Sequence, residues 1–147
     1  MRALTISAHG GAEQLAFRED IAEPELRRPD DVRVRIHAAA LNHLDLFMLG
    51  GLPHITMTPP WIMGSDGAGV VEAAGPEAGV RPGDRVMLNP GISCGACEYC
   101  RDEADPLCLK YGILGEHHPG TLAEYVVVPA GNVVRIPDAV EFTEAAA

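Results

Sequence analysis

The sequence predicts a mainly β protein, a barrel or sandwich of short strands with few short helices. Three observations carry this. Glycine and proline are abundant, 16 and 12 of 147 residues, nearly a fifth of the chain against about 12% in ordinary usage. Turn signals recur roughly every ten residues, the spacing of an all-β fold. Between them lie short apolar or alternating runs. Val32, Val34 and Ile36, set between Arg33, Arg35 and His37, are the clearest, with the alternation of a half-buried strand.

Taken in order, residues 2–8 read as a strand, Gly10-Gly11 as a turn and residues 14–18 as a second strand. Residues 20–30 are acidic, hold Pro24 and Pro29, and read as a loop. After the alternating strand, residues 41–49 read as a helical turn stopped by Gly50-Gly51. Pro53 to Pro60 reads as a loop, and Gly67–Ala74 as a strand centred on Val70 and Val71. Val80-Arg81-Pro82-Gly83-Asp84 is a turn feeding the strand Arg85–Asn89. Residues 90–120 read as irregular, and Thr121–Val128 and Asn132–Ile136 as two further strands. Glu141–Ala147 begins a helix too short to stand alone in water, so the chain is expected to continue.

The length suits about one domain, and 47% apolar with 22% charged residues is an ordinary globular balance. Acids outnumber bases 21 to 11, a net charge of −10. That charge opposes phosphate backbones, so no nucleic-acid partner is expected. The start, Met1-Arg2-Ala3-Leu4-Thr5-Ile6, lacks the apolar core of a leader peptide. The charge-free stretch Leu46–Ser65 is broken by Pro53, Pro59 and Pro60, so no membrane helix is expected. The expectation is a cytoplasmic protein. In a reducing compartment its cysteines serve as metal ligands rather than disulfides.

Cys94, Cys97, Cys100 and Cys108 follow the pattern C-x-x-C-x-x-C-x7-C. Two-residue gaps wrap three sulfurs around one point, and the fourth closes a tetrahedron. Zinc takes four such thiolates at ~2.3 Å. With no open position left, the site reads as structural. An iron–sulfur cluster is disfavoured: the bacterial ferredoxin run ends C-x3-C-P, whereas here the last gap is longer and Leu109 follows.

The flanks are more specific than the cysteines. Asn89-Pro90-Gly91-Ile92-Ser93-Cys94-Gly95 enters the lobe. Tyr111-Gly112-Ile113-Leu114-Gly115-Glu116 leaves it, followed by Gly120-Thr121-Leu122-Ala123-Glu124-Tyr125-Val126. Earlier segments are Ala40-Leu41-Asn42-His43-Leu44-Asp45, Gly64-Ser65-Asp66-Gly67-Ala68-Gly69-Val70-Val71-Glu72 and Gly83-Asp84-Arg85-Val86. Nearly the whole chain, in this order, resembles the N-terminal half of the medium-chain dehydrogenase/reductase family, the zinc-type alcohol dehydrogenases and quinone-oxidoreductase-like enzymes.

The resemblance implies a GroES-like β-barrel catalytic domain over 1–137, with a structural-zinc lobe at about 89–110. Residues 138–147 would start a helix leading to a Rossmann domain that binds NAD or NADP. It also implies a small-molecule substrate and a full-length homo-oligomer. No usable G-x-G-x-x-G occurs here: Gly64-Ser65-Asp66-Gly67-Ala68-Gly69 has the wrong spacing and precedes a strand.

In the family's alcohol dehydrogenases, a Cys in a C-H-x-D-like motif and a His in G-H-E hold a catalytic zinc. Here Asn42 stands in the Cys position and Ser65 in the His position, and neither is a good zinc ligand. Leu44 stands where a Ser or Thr passes the alcohol proton. The candidate catalytic residues are therefore Asn42, His43, Asp45, Ser65 and Asp66. Asn42 donates to a substrate oxygen, and His43 donates or contacts cofactor phosphate. Asp45 and Asp66 orient them.

The expectation is an NAD(P)-dependent oxidoreductase, zinc-independent in chemistry, that reduces quinones, enones or carbonyls; this fragment alone is expected to be inactive. Alternatives are an alcohol dehydrogenase with an atypical metal site built from His43 and Asp66, and Asp45 and Ser65 as ordinary caps. Further alternatives are a stand-alone zinc-stabilised binding module and a zinc-ribbon nucleic-acid binder. His9, His37, His54, His117 and His118 read as solvated or structurally hydrogen-bonded, and Trp61 as a core or cleft-wall residue.

Overall fold

The computed structural model describes residues 1–53 and 55–147; His54 lies outside the described residues. Among the described residues, ten strands and three short α-helices follow one another: β1 (Ala3–Ile6), β2 (Leu15–Arg18), β3 (Asp31–Ala40), α1 (His43–Gly50), β4 (Trp61–Ile62), β5 (Asp66–Ala74), β6 (Arg85–Leu88), β7 (Gly91–Ile92), α2 (Glu98–Arg101), β8 (Gly112–Ile113), β9 (Tyr125–Pro129), β10 (Val133–Arg135) and α3 (Phe142–Ala145).

The main sheet is antiparallel, in the order β10-β6-β5-β3-β9. The long strand β3 is paired on both sides. Val32 stands opposite Ala74 of β5 and Val128 of β9. Val32 and Val34 are fully buried, as are Val71, Val86 and Val128. Each such side chain contributes roughly 1.5–3 kcal/mol over its exposed state. Arg33 and Arg35 point the other way, and Arg33 pairs with Glu72 across the sheet. The alternation read from the sequence thus sets which face of β3 becomes core.

Two register shifts interrupt the β3–β5 pairing and let the sheet curl into a half-barrel. Gly69 sits at the tightest crossing, where an added Cβ would run into the Arg35 carbonyl. A second sheet, β2-β1-β4, packs beside the first. It is joined by Leu4 N–H to Leu122 O (2.8 Å) and Glu124 N–H to Arg2 O (3.0 Å). Ile6, Met48 and Met63 form its own apolar cluster.

The expected strand Thr121–Val128 is shorter than the sequence suggested, because Thr121–Glu124 crosses between the sheets. Thr121 and Leu122 donate to the carbonyls of Gly64 and Met63 instead of joining the β9 ladder. Residues 90–120 are less irregular than expected. They contain the paired strands β7 and β8 and the single-turn α2. The C-terminal turn α3 packs against β3 and β5.

Candidate functional site

The ends of β3 and β5 bring the candidate residues together. Ala40, the last residue of β3, pairs with Asp66, the first of β5, and the chain turns from Ala40 into α1. Asn42 is the N-cap of that helix. Its Oδ1 accepts from Leu44 N (3.4 Å), and its own backbone N–H donates to Asp45 Oδ2 (2.8 Å). This reciprocal box satisfies donors that a helix start otherwise leaves unpaired.

The same network reaches across to β5. Asn42 Nδ2 donates to Asp66 Oδ2 at 3.0 Å, and Asp45 Oδ1 accepts from Gly64 N at 3.0 Å. Gly64 has φ +95°, a conformation suited to glycine. The two ends of the Asn42 amide are thereby distinguished. Its oxygen caps the helix and one N–H faces a carboxylate.

Three of the five candidates, Asn42, Asp45 and Asp66, form one hydrogen-bonded unit. His43 is exposed on the first turn of α1, its ring 6.4 Å from that of Phe47. Ser65 is 3% exposed, and its hydroxyl donates to the Leu114 carbonyl at 2.9 Å. Asp45 and Ser65 both act as local fasteners in this structure. Trp61 is half-buried against the Ile6–Met48–Met63 cluster, and its Nε1 donates to Gly115 O (2.8 Å). Exposed Leu41, Leu46 and Phe47 surround the site.

The other described histidines have structural neighbours. His9 Nδ1 lies 2.8 Å from Met48 O, His117 Nδ1 accepts from Ile113 N, and His37 stacks on Phe142. Burial, reinforced by neighbouring His117, lowers the pKa of His118.

The four cysteines converge. Their sulfurs all lie within 4.8 Å of one another, with Cys97–Cys100 at 3.5 Å and Cys94–Cys100 at 4.0 Å. Those two separations bracket the edge, about 3.8 Å, of a tetrahedron with ~2.3 Å zinc–sulfur arms. Backbone N–H groups of Cys94 and Lys110 point at Cys108 Sγ (3.3 and 3.4 Å).

Backbone hydrogen bonds from Cys100 and Leu109 hold the Cys97 thiol down at about 6. Burial, reinforced by the sulfurs beside it, pushes Cys100 up to about 12. Sulfurs this close resist sharing several negative charges until a cation joins them. The donor set and its spacing fit zinc. Among the described residues, this is the one group of three or more metal-ligating side chains placed to share an ion.

The lobe is tied to the barrel by Asn132. Its buried amide donates to the carbonyls of Asn89 (2.8 Å) and Gly91 (2.6 Å), just where the chain enters β7. The sequence offered no signal for this latch.

A curled antiparallel half-barrel with a four-thiolate lobe beside it defines the GroES-like domain of the zinc-containing dehydrogenases. The model of the alcohol dehydrogenase GroES-like domain matches residues 28–138, and the chain belongs to that family, within the medium-chain dehydrogenases/reductases.

It is 38% identical over 141 residues to an L-threonine 3-dehydrogenase of Anaeromyxobacter sp. (strain Fw109-5), covering 94% of this chain and 40% of that protein. The crystal structure of an NAD-dependent alcohol dehydrogenase is 49% identical with a TM-score of 0.92, covering 99% of this chain and 42% of that one. A cobalt- and zinc-bound alcohol dehydrogenase from Pyrobaculum aerophilum is 38% identical with a TM-score of 0.85, covering 99% and 44%. The chain thus spans about two fifths of the length of these relatives.

Proposed function

We propose that this chain is the catalytic domain of an NAD(P)-dependent medium-chain oxidoreductase with a structural zinc, whose chemistry proceeds without a catalytic zinc. The observation that carries the reading is the pairing of Asn42 with Asp66, together with the turning of Ser65 to Leu114 O. Asn42 and Ser65 occupy the positions at which the resemblance expects thiolate and imidazole ligands; here Asn42 pairs with Asp66 and Ser65 with the Leu114 carbonyl.

The glycine-bearing stretch 64–69 opens the strand β5 rather than a helix, so the nicotinamide cofactor belongs to a further domain in the longer enzyme. The relatives, an NAD-dependent alcohol dehydrogenase and an L-threonine 3-dehydrogenase, support a hydride-transfer enzyme acting on a small molecule.

Within this domain the chemistry is that of a fixed donor. Asp66 holds the Asn42 amide, whose second N–H meets a substrate oxygen as negative charge develops there. His43 is open to solvent on the same helix turn, placed to exchange a proton. With no metal to lower an alcohol's pKa, conjugated carbonyl compounds such as enones and quinones fit better than simple alcohols. Their conjugation spreads the developing charge.

The test is metal analysis and turnover of the two-domain enzyme. One tightly held zinc per chain and enone or quinone reduction that persists under mild chelation are expected. Ethanol oxidation that stops on metal removal and returns with zinc would sink the reading.

A further inference from the structure

One side chain holds the stretch before α3. The last ladder-like bond is Ile136 N–H to Arg85 O at 3.0 Å, and residues 137–141 belong to no strand. Arg85 stands on β6 with its side chain 24% exposed. Its Nη1 donates to the carbonyls of Pro137 (3.1 Å) and Asp138 (2.7 Å), and its Nη2 to that of Val140 (2.7 Å). The guanidinium carbon lies 4.5 Å from the centroid of the Phe142 ring. That ring in turn stacks on His37 of β3, 4.7 Å away and tilted by 32°.

A flat, forked cation is suited to this task. It reaches three carbonyls and an aromatic face together, where an ammonium would act as a point charge. The helix it delivers is itself capped by a Glu141–Glu144 box. It rests on the two strands whose ends carry the candidate site. β3 runs from His37 through Ala40 into Asn42, and β5 begins at Asp66.

We propose that Arg85 is a positioning residue: it fixes the angle at which α3 leaves the barrel, and so the placement of a following cofactor domain against the Asn42–Asp66 site. This rests on the two-domain reading above. Hydride transfer needs donor and acceptor held in register, and a displacement of about 1 Å costs up to ~10²-fold in rate. Residues 137–141 have no ladder to hold their torsions, so freedom at that root would be magnified at the reacting atoms.

Hydrogen exchange on this chain tests the clamp. Arg85→Ala, and separately Phe142→Ala, which leaves β6 untouched, should speed exchange at the amides of Val140 and Glu144 to Ala146 by about tenfold or more. Protection in β3, β5 and β9 should persist. Unchanged exchange over 140–146 in both variants overturns the clamp.

In the two-domain enzyme, Arg85→Ala should lower kcat by about tenfold to 10²-fold with the Kd for NAD(P)H unchanged, and Arg85→Lys should lie between. Loosened exchange with wild-type kcat overturns the positioning role while leaving the functional reading intact. A wild-type two-domain enzyme that neither binds NAD(P)H nor turns over would refute that reading and, with it, the positioning role; the exchange result would stand alone as a structural clamp.

Discussion

The side-chain amide of Asn42 and the carboxylate of Asp66 meet at 3.0 Å, joining the cap of α1 to the first residue of β5. This bond decides which way the amide faces. A flipped Asn42 would set its oxygen against a carboxylate oxygen and lose the cap on Leu44. The site therefore offers a donor, which an electron-rich oxygen can meet.

Asn42→Ala removes that donor and the helix cap together. Turnover of enones or quinones by the two-domain enzyme should fall by ~10²–10³-fold. The lost cap should cost about 1 kcal/mol, read as a lower urea midpoint of this chain. Asn42→Ser separates the two effects, since it keeps a cap oxygen but has no amide N–H. It should retain most of the stability near neutral pH and still lose turnover. Unchanged kcat in both variants would remove Asn42 from the chemistry.

Metal analysis of this chain should find about one zinc held by Cys94, Cys97, Cys100 and Cys108. Cys100→Ser should reduce the zinc content and raise hydrogen exchange across residues 92–112 more than in β3 or β5. The lobe has little apolar core of its own, with Leu107 and Leu109 exposed. Two tightly held zinc ions would contradict the reading of Asn42 and Ser65.

Asp84 gives a pH dependence with a definite sign. The Arg81 backbone N–H (3.1 Å), and then the Arg135 guanidinium (3.0 Å), hold its carboxyl below the usual carboxylate range. A carboxyl depressed in the folded state contributes stability above its unfolded pKa, about 3.9. That contribution fades as the pH falls through the lower native value. Urea midpoints of wild type and Asp84→Asn should differ near neutral pH and draw together as the pH falls below the carboxylate range. A constant difference across that window would assign the loss to something other than ionisation.

Gly69→Ala tests the curl of the main sheet. A methyl there would collide with the Arg35 carbonyl, and a backbone partner cannot rotate away as a side chain can. A destabilisation of about 1–3 kcal/mol or more is expected, measurable as a lower melting temperature. Gly79→Ala meets no atom but has φ +67°, and should lose only the smaller cost of that backbone conformation.

Much of this fold was legible because alternation is a local signal. Val32 and Val34 against Arg33 and Arg35 announce both a strand and its buried face. The cysteine spacing is local in the same way, and the four sulfurs do converge. Contacts that depend on chain crossing were hidden. Thr121–Glu124 looks like a strand, yet its partners are Gly64, Met63 and Arg2, which no periodicity reveals. The residues of the site were nameable, but their pairing was not. That Asn42 faces Asp66 while Ser65 faces Leu114 follows from how β3 and β5 end side by side.

The latch at Asn132 has a consequence for how this architecture can vary. It clasps the carbonyls of Asn89 and Gly91, and β7 and β8 lie paired, so the lobe's first and last residues are neighbours. The whole excursion is a parenthesis in the chain: it opens and closes at one place. A descendant could drop it for a tight hairpin, or an ancestor acquire it, without rethreading a single strand of the main sheet.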